Sequence, residues 1–483
     1  MIPFLTTTDL LPHQKEALEK VLPTRVSGLF MDMGTGKSRT TIELAKVRAE
    51  KIDHVIWVCP VSLKETICHE ILKHTNCTKE DIYVFDDKTT DASIPKNRRW
   101  YVVGIESLSL SGRVTVALNA IITARSFVVV DESSYIKGPS AMRTKRITNL
   151  AQRARYRTIL TGTPISQGVV DLYSQMYFLS PKILGYNSFY SFASNHLEYH
   201  PTHPQLIVRS HNIPYLAEKI KPYVYQCTKD ECLGLPSKIY DTYISHLTEE
   251  QEEEYTAAKL RFMDEVTRAE EHGQELSPTA IFKLFTELQT ICCGFITKWD
   301  AISKERKTNP IESNRLDCLL SAAKAVPEKE KVIIWAKYTY SVSEICAALK
   351  KEYGEDAVTL LHGALSPKAR EQELKRFEGA SRFMIATQSC GGHGLNLQFC
   401  CYQIFYANGF KYSERLQAED RCHRHGQRRK VTYIDIYISD SIDMRIAEAL
   451  SKKGDAVKSF RDEVERIKKD RGVQTVNDLV MSL

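Results

Sequence analysis

No stretch of the 483-residue chain approaches the roughly 18 consecutive apolar residues that a membrane-spanning helix needs, so no membrane span is expected. The thirteen cysteines include no CxxC pair, which argues against a zinc ribbon or finger. Internal repeats and low-complexity tracts are also missing. Charge is nearly balanced, with Lys+Arg 66 against Asp+Glu 60 and a net +6, so nucleic-acid contact would need a local patch. The opening MIPFLTTTDLLPHQ has no basic region followed by an apolar stretch, and a signal peptide is not expected. An odd number of cysteines scattered through a large chain fits a reducing cytoplasm better than a disulfide scaffold. What is present, 43% hydrophobic and 26% charged residues, is the make-up of a globular protein. At about 150 residues per domain the length suggests about three units, or two large ones with insertions.

Short Val/Ile-rich runs bounded by polar or turn residues predict the strands of a parallel sheet buried on both faces. HVIWVCP, WYVVGI, SFVVVDE and YRTILTGTP form one such series; KVIIWAK, AVTLLHG, RFMIATQ, YQIFYAN and VTYIDIY form a second after about residue 330. Two series of β-α alternation predict an α/β fold of two parallel-sheet lobes in tandem. The expected boundaries are 1–235 for the first lobe, with a helical protrusion near 166–235 where strand signals weaken. The second lobe is expected at 236–450, with a helical insertion near 248–295, and 451–483 as a C-terminal helical segment.

Met33-Gly34-Thr35-Gly36-Lys37-Ser38 follows an apolar segment and precedes a helical one. Glycines let backbone N–H groups wrap phosphate oxygens, and the helix N-terminus adds positive potential. Lys37 then meets the β/γ-phosphates and Ser38 ligates Mg²⁺. The strict pattern wants glycine where this chain has Met31, and alone the motif could be a surface turn. Val128-Val129-Val130-Asp131-Glu132 supplies the rest: a strand ending in an acidic pair places Asp131 at the metal and Glu132 at the attacking water.

A third constellation, Gln417-Ala418-Glu419-Asp420-Arg421-Cys422-His423-Arg424-His425-Gly426-Gln427, carries Arg421 and Arg424 three residues apart. That spacing predicts one face of a helix, from which an arginine could stabilise a transferring phosphoryl group. Two other readings stand beside it. One is a solvated basic helix end. The other is a metal site from Cys422, His423 and His425 with Cys400 and Cys401, disfavoured because adjacent helical residues point apart.

Taken in order, these segments resemble the superfamily-two helicase-like ATPases, and closely the Swi/Snf-type DNA translocases. LLPHQ, ending at Gln14, is similar to the adenine-reading glutamine motif, MGTGKS to motif I, DESSYIKG (131–138) to motif II and LTGTPISQ (160–167) to motif III. SCGGHGLNL (389–397) resembles motif V and QAEDRCHRHGQ motif VI, while HGALSPKAREQELKRFE (362–378) matches a segment of the second lobe. The resemblance implies two RecA-like lobes with ATP and Mg²⁺ between them. Gln14 would read adenine, and Gly34, Thr35, Gly36, Lys37 and Ser38 would hold phosphates. Asp131 and Glu132 would serve the metal and the water, and Gly394, Gln417, Arg421 and Arg424 would complete the site. A phosphate-gripping path on DNA would include Pro60, Val61, Ser62, Glu106, Ser107, His362, Gly363 and Asn396, with Thr161 and Thr163 coupling hydrolysis to it.

Departures are Ser134 where the family usually has His, Met31-Asp32 where it has an acidic pair, and Phe410-Lys411-Tyr412 where it tends to have Trp-Asn-Pro. None removes a catalytic group. Cys292, Cys293, Trp57 and Trp335 lie in apolar runs and are expected in the core. The expected function is a monomeric, DNA-stimulated ATPase that translocates on duplex DNA, plain or branched, in repair, recombination or replication. A helicase acting on forks and junctions and a nucleotide-gated scaffold without turnover are the alternatives.

Overall fold

The computed structural model describes residues 4–165, 168–199, 207–271, 278–300, 305–363, 365–388, 396–457, 459–460, 463–464 and 473–483. The chain divides into two compact units, Met1–Gly234 and Leu235–Leu483. Among the described residues no helix is long and apolar enough to cross a membrane.

In the first unit the strands β1 (Val26–Met31), β2 (His54–Cys59), β3 (Ile82–Val84), β4 (Trp100–Gly104), β5 (Ser126–Asp131) and β6 (Tyr156–Thr161) alternate with helices. A short hairpin, β7 (Leu197–Tyr199) and β8 (Ile207–Ser210), precedes β9 (Val224–Cys227). The main sheet has the order β3-β4-β2-β5-β6-β1-β9, and its pairs are parallel. Every residue of β1, β2, β4, β5 and β6 is buried. The period of two divides them between two cores: Val58, Val128 and Val130 face one side, Val55, Trp57 and Val129 the other.

The region expected as a helical protrusion is more than that. It holds the helices Val170–Leu179, Phe189–His196 and Ile213–Ile220, but its last part returns to the main sheet as β9, beside β1. A four-residue edge strand carries too little pattern to stand out in sequence.

The second unit contributes β10 (Lys238–Ser245), the antiparallel pair β11 (Phe295–Asp300) and β12 (Glu305–Pro310), then β13 (Val332–Ala336), β14 (Val358–Leu361), β15 (Phe383–Thr387), β16 (Tyr402–Phe405) and β17 (Val431–Ile438). Its parallel sheet has the order β10-β17-β16-β13-β15-β14. The helices Glu249–Glu271 and Pro278–Cys292 share one core with Ile442–Ser451 and with Val476, Val480 and Leu483 near the C-terminus. Tyr255 Oη donates to the Leu483 carbonyl at 3.0 Å, and Lys259 Nζ to that of Met481 at 2.9 Å. The insertion and the C-terminal stretch, read as separate segments from sequence, are therefore one helical layer. Each has an apolar face too narrow to be buried alone, and together they close it. Cys292 and Cys293 lie buried here and in the adjoining core.

Candidate active site

The expected chemistry of the first unit lies at the carboxyl ends of three neighbouring strands, β5, β6 and β1. In open parallel sheets this is where ligands bind. After β1 the chain turns through Gly34 (φ 80°) and Gly36 (φ 88°), left-handed conformations that favour glycine. The helix Lys37–Val47 starts at Gly36 with no side-chain cap, which leaves its first-turn N–H groups for an anion. Lys37 Nζ donates to the carbonyls of Met31 at 2.8 Å and Asp32 at 3.3 Å, and the half-buried Ser38 follows it.

The loop is braced from several sides. Gln14 accepts from Leu11 N at 3.0 Å and donates Nε2 to the Thr35 carbonyl at 3.0 Å; His13 Nε2 reaches the same oxygen at 2.7 Å. The approach is so close that a Cβ on Gly36 would sit 2.1 Å from Gln14 Nε2. Gln14, expected at adenine, thus also holds the shape of the phosphate loop. Asp32 N donates to the Cys227 carbonyl at 3.1 Å, and Lys229 N to Asp32 Oδ2 at 3.0 Å, so β9 and the turn after it fix the loop's entry.

Asp131 ends β5. Burial away from water raises its carboxyl to about 6, and the neighbouring Glu132 adds to this, against lowering by Lys37 and a hydrogen bond from Trp57. A buried carboxyl with a raised pKa is one that a divalent cation stabilises in its charged form. The Ser38 hydroxyl, expected as the other Mg²⁺ ligand, supplies the hard oxygen that such an ion prefers. Glu132 has a positive φ of 49°, uncommon without glycine, and this turn takes its side chain off the strand's line. Its own N–H donates to Asp131 Oδ1 at 2.9 Å.

The residues expected to meet DNA are partly gathered. Val61 and Ser62 are exposed at the start of a short turn, with Pro60 buried behind them. Val61 N donates to Glu106 Oε2 at 2.9 Å, which joins the loops after β2 and β4 and places Ser107 beside them. Thr163 is half-buried, but Thr161 is completely buried and its Oγ1 accepts from Thr163 N at 3.1 Å. Thr161, expected to couple hydrolysis to DNA, thus has an internal position from which its side chain braces the loop. In the second unit His362 is half-buried, and Gly363 and Asn396 are exposed; Gly394 lies outside the described residues.

The expected arginine face also needs correction. The helix Tyr412–Glu419 ends before Arg421, and Arg421 to Arg424 lie in a turn. Arg421, Cys422 and His423 are consecutive in this turn and all buried. Gln427 fixes the turn by donating to the carbonyls of Gln398 at 2.8 Å and Cys400 at 3.2 Å. Arg421 is 2% exposed and its Nε donates to the Gln417 carbonyl at 3.0 Å, whereas Arg424 is half-buried.

Two family models match the chain: the SNF2-related domain over residues 13–295 and the helicase conserved C-terminal domain over 314–426. The chain belongs to the SNF2-related family. Among curated relatives, an uncharacterized ATP-dependent helicase of Mycoplasma genitalium is 25% identical over 337 residues, covering 69% of this chain and 30% of the relative. The ISWI chromatin-remodeling complex ATPase ISW1 of Saccharomyces cerevisiae is 23% identical, covering 93% and 40%. The chain thus spans less than half the length of either relative. A solved SWI2/SNF2 ATPase core of Sulfolobus solfataricus in complex with dsDNA is 21% identical, with a TM-score of 0.43, covering 99% of this chain and 97% of that one.

Within this SNF2-related chain, several groups at the site gave no signal in sequence. Trp57 lies in the core as expected, yet its Nε1 donates to Asp131 Oδ2 at 3.3 Å. The parallel register Trp57↔Val129 puts both side chains on one face. Beneath the motif VI turn, Arg415 donates to Glu419 at 2.8 Å and to Asn408 at 3.0 Å and clasps Asp435, while Lys238 donates to Glu419 at 2.7 Å. Phe410, one of the departures, is buried with Lys337 Nζ 2.9 Å from its ring centroid.

Proposed function

We propose that this chain is an ATP-dependent DNA translocase, hydrolysing ATP to ADP and phosphate while stepping along duplex DNA. The observation that carries the reading is the convergence of Lys37, Asp131, Glu132 and Thr163 at the ends of three adjacent strands. The joined loops of Val61 and Glu106 belong to the same unit. ATP would lie with its phosphates on the Gly34–Ser38 loop, and Ser38 and Asp131 would hold Mg²⁺. The bound ion would neutralise charge on the β- and γ-phosphates. Glu132 would orient and deprotonate the attacking water. Arg424 would stabilise the transferring γ-phosphoryl group, with Arg421 holding the turn that carries it.

The deciding experiment is steady-state ATP hydrolysis alone and with blunt duplex, single strand, fork and four-way junction. Equal stimulation by plain and branched duplex is the expected result; stimulation confined to forks or junctions replaces the translocase with a fork-remodelling helicase. Glu132→Gln should keep ATP binding and lose turnover by roughly 10²-fold or more. Unchanged turnover in that variant would remove Glu132 from the mechanism.

A further inference from the structure

Between the loop that follows β5 and the loop that follows β6 lies a buried polar side chain that no part of the mechanism above uses. Gln175, on the helix Val170–Leu179, is completely buried. Its Oε1 accepts from Ser133 Oγ at 2.6 Å, and its Nε2 donates to the carbonyls of Pro164 and Asp171, each at 2.8 Å. The set fixes which end of the amide is which. The two carbonyls can only accept, so a flipped amide would face both of them with oxygen, whereas the hydroxyl can serve either end. Ser133 follows Glu132 directly, and Pro164 follows Thr163 directly. One side chain therefore spans the water-activating pair and the threonine loop.

We propose that Gln175 is a positioning residue that makes these two loops move as one, so that what engages the threonine loop is felt at Glu132. The amide is the only direct side-chain bridge between Ser133 and Pro164 that the described residues provide. Ser133 is itself fully buried, and its hydroxyl is satisfied by Gln175. Loops tied in this way have a small number of joint arrangements rather than independent ones.

The proposal deepens the translocase reading, since the signal arriving at the threonine loop is taken to be duplex DNA. The test uses the full chain carrying Gln175→Leu, Ser133→Ala, or both. In hydrolysis assays, each single variant should keep its DNA-free rate within about threefold and the KM for duplex, while the rate at saturating duplex falls about tenfold. The double variant should fall no further than either single one, as expected for two halves of one linkage. A second measurement does not depend on DNA: amide hydrogen exchange over residues 158–165 with and without nucleotide. Nucleotide should change exchange there in the wild type and not in Gln175→Leu. DNA-free rate, stimulated rate and melting midpoint falling in parallel would make Gln175 a packing residue and overturn the proposal, as would undiminished stimulation. If no DNA stimulates the wild type, the translocase reading fails, and exchange decides this one separately. A nucleotide effect lost in Gln175→Leu upholds it; an effect kept there, or absent from the wild type, overturns it.

Discussion

At the scale of single residues, the phosphate loop illustrates how tightly one position can be determined. Gly36 has a φ of 88° and the Gln14 amide against its α-carbon. Gly36→Ala should therefore do two kinds of damage: backbone strain of about 1 kcal/mol, and displacement of Gln14. Nucleotide affinity should fall by roughly tenfold or more, corresponding to about 1.4 kcal/mol, as read by titration with a fluorescent ATP analogue. Removing the clash in Gln14→Ala/Gly36→Ala should restore part of the melting midpoint but not the affinity; a double variant no more stable than Gly36→Ala would show that the clash is not the cause. Lys37, Ser38, Asp131 and Glu132 stand out in the sequence as candidates because each sits in a contiguous motif whose chemistry is local. Trp57 could not, because its bond to Asp131 spans 74 residues and depends on the register of β2 against β5. The same holds for Gln175, whose identity in a helical run says nothing about where its amide points.

The elements themselves were legible where pattern and burial coincide. The runs around β2, β4, β5 and β6, and those of β13 to β17, stand out because buried parallel strands are apolar on both faces. What escaped were edges and ends: β9 is a short edge strand, and the helix carrying Gln417 stops before the arginines because the following residues turn into the core. Buried ion pairs that lock elements together were equally invisible. Arg315, at the start of the helix Arg315–Ala325, is 1% exposed; it donates to the carbonyls of Tyr406 at 2.7 Å and Ile436 at 2.8 Å and pairs with Asp443, 128 residues away. Its guanidinium is held charged, the cost of burial being outweighed by the Asp443 carboxylate. Asp443→Ala leaves that charge buried without its counter-ion and should cost about 3–5 kcal/mol in urea denaturation. Arg315→Met/Asp443→Leu should cost clearly less than the sum of the single changes; an additive result would mean that the pair is not coupled.

For the whole molecule, the residues proposed to carry the chemistry belong to two compact units. Lys37, Asp131 and Glu132 belong to Met1–Gly234, and Gln417, Arg421 and Arg424 to Leu235–Leu483. The sequence supplied both sets in the right order, but it treated the two arginines as equivalent. The structure separates them: Arg421 is buried and tied by its Nε to the Gln417 carbonyl, whereas Arg424 is only half-buried on the same turn. A residue proposed to stabilise a transferring phosphoryl group needs an accessible guanidinium, and of these two arginines Arg424 is the more accessible. Arg424→Ala should accordingly leave nucleotide binding near the wild-type value and lower DNA-stimulated hydrolysis by about 10³-fold, the lower end of what such an arginine contributes. Arg421→Ala should instead lower the melting midpoint, because it removes a buried side chain that holds the turn. Measuring both variants for binding, turnover and melting separates the roles. Equal loss of turnover without loss of stability in Arg421→Ala would return that arginine to the chemistry, and normal stimulation in Arg424→Ala would place the stabilising cation elsewhere.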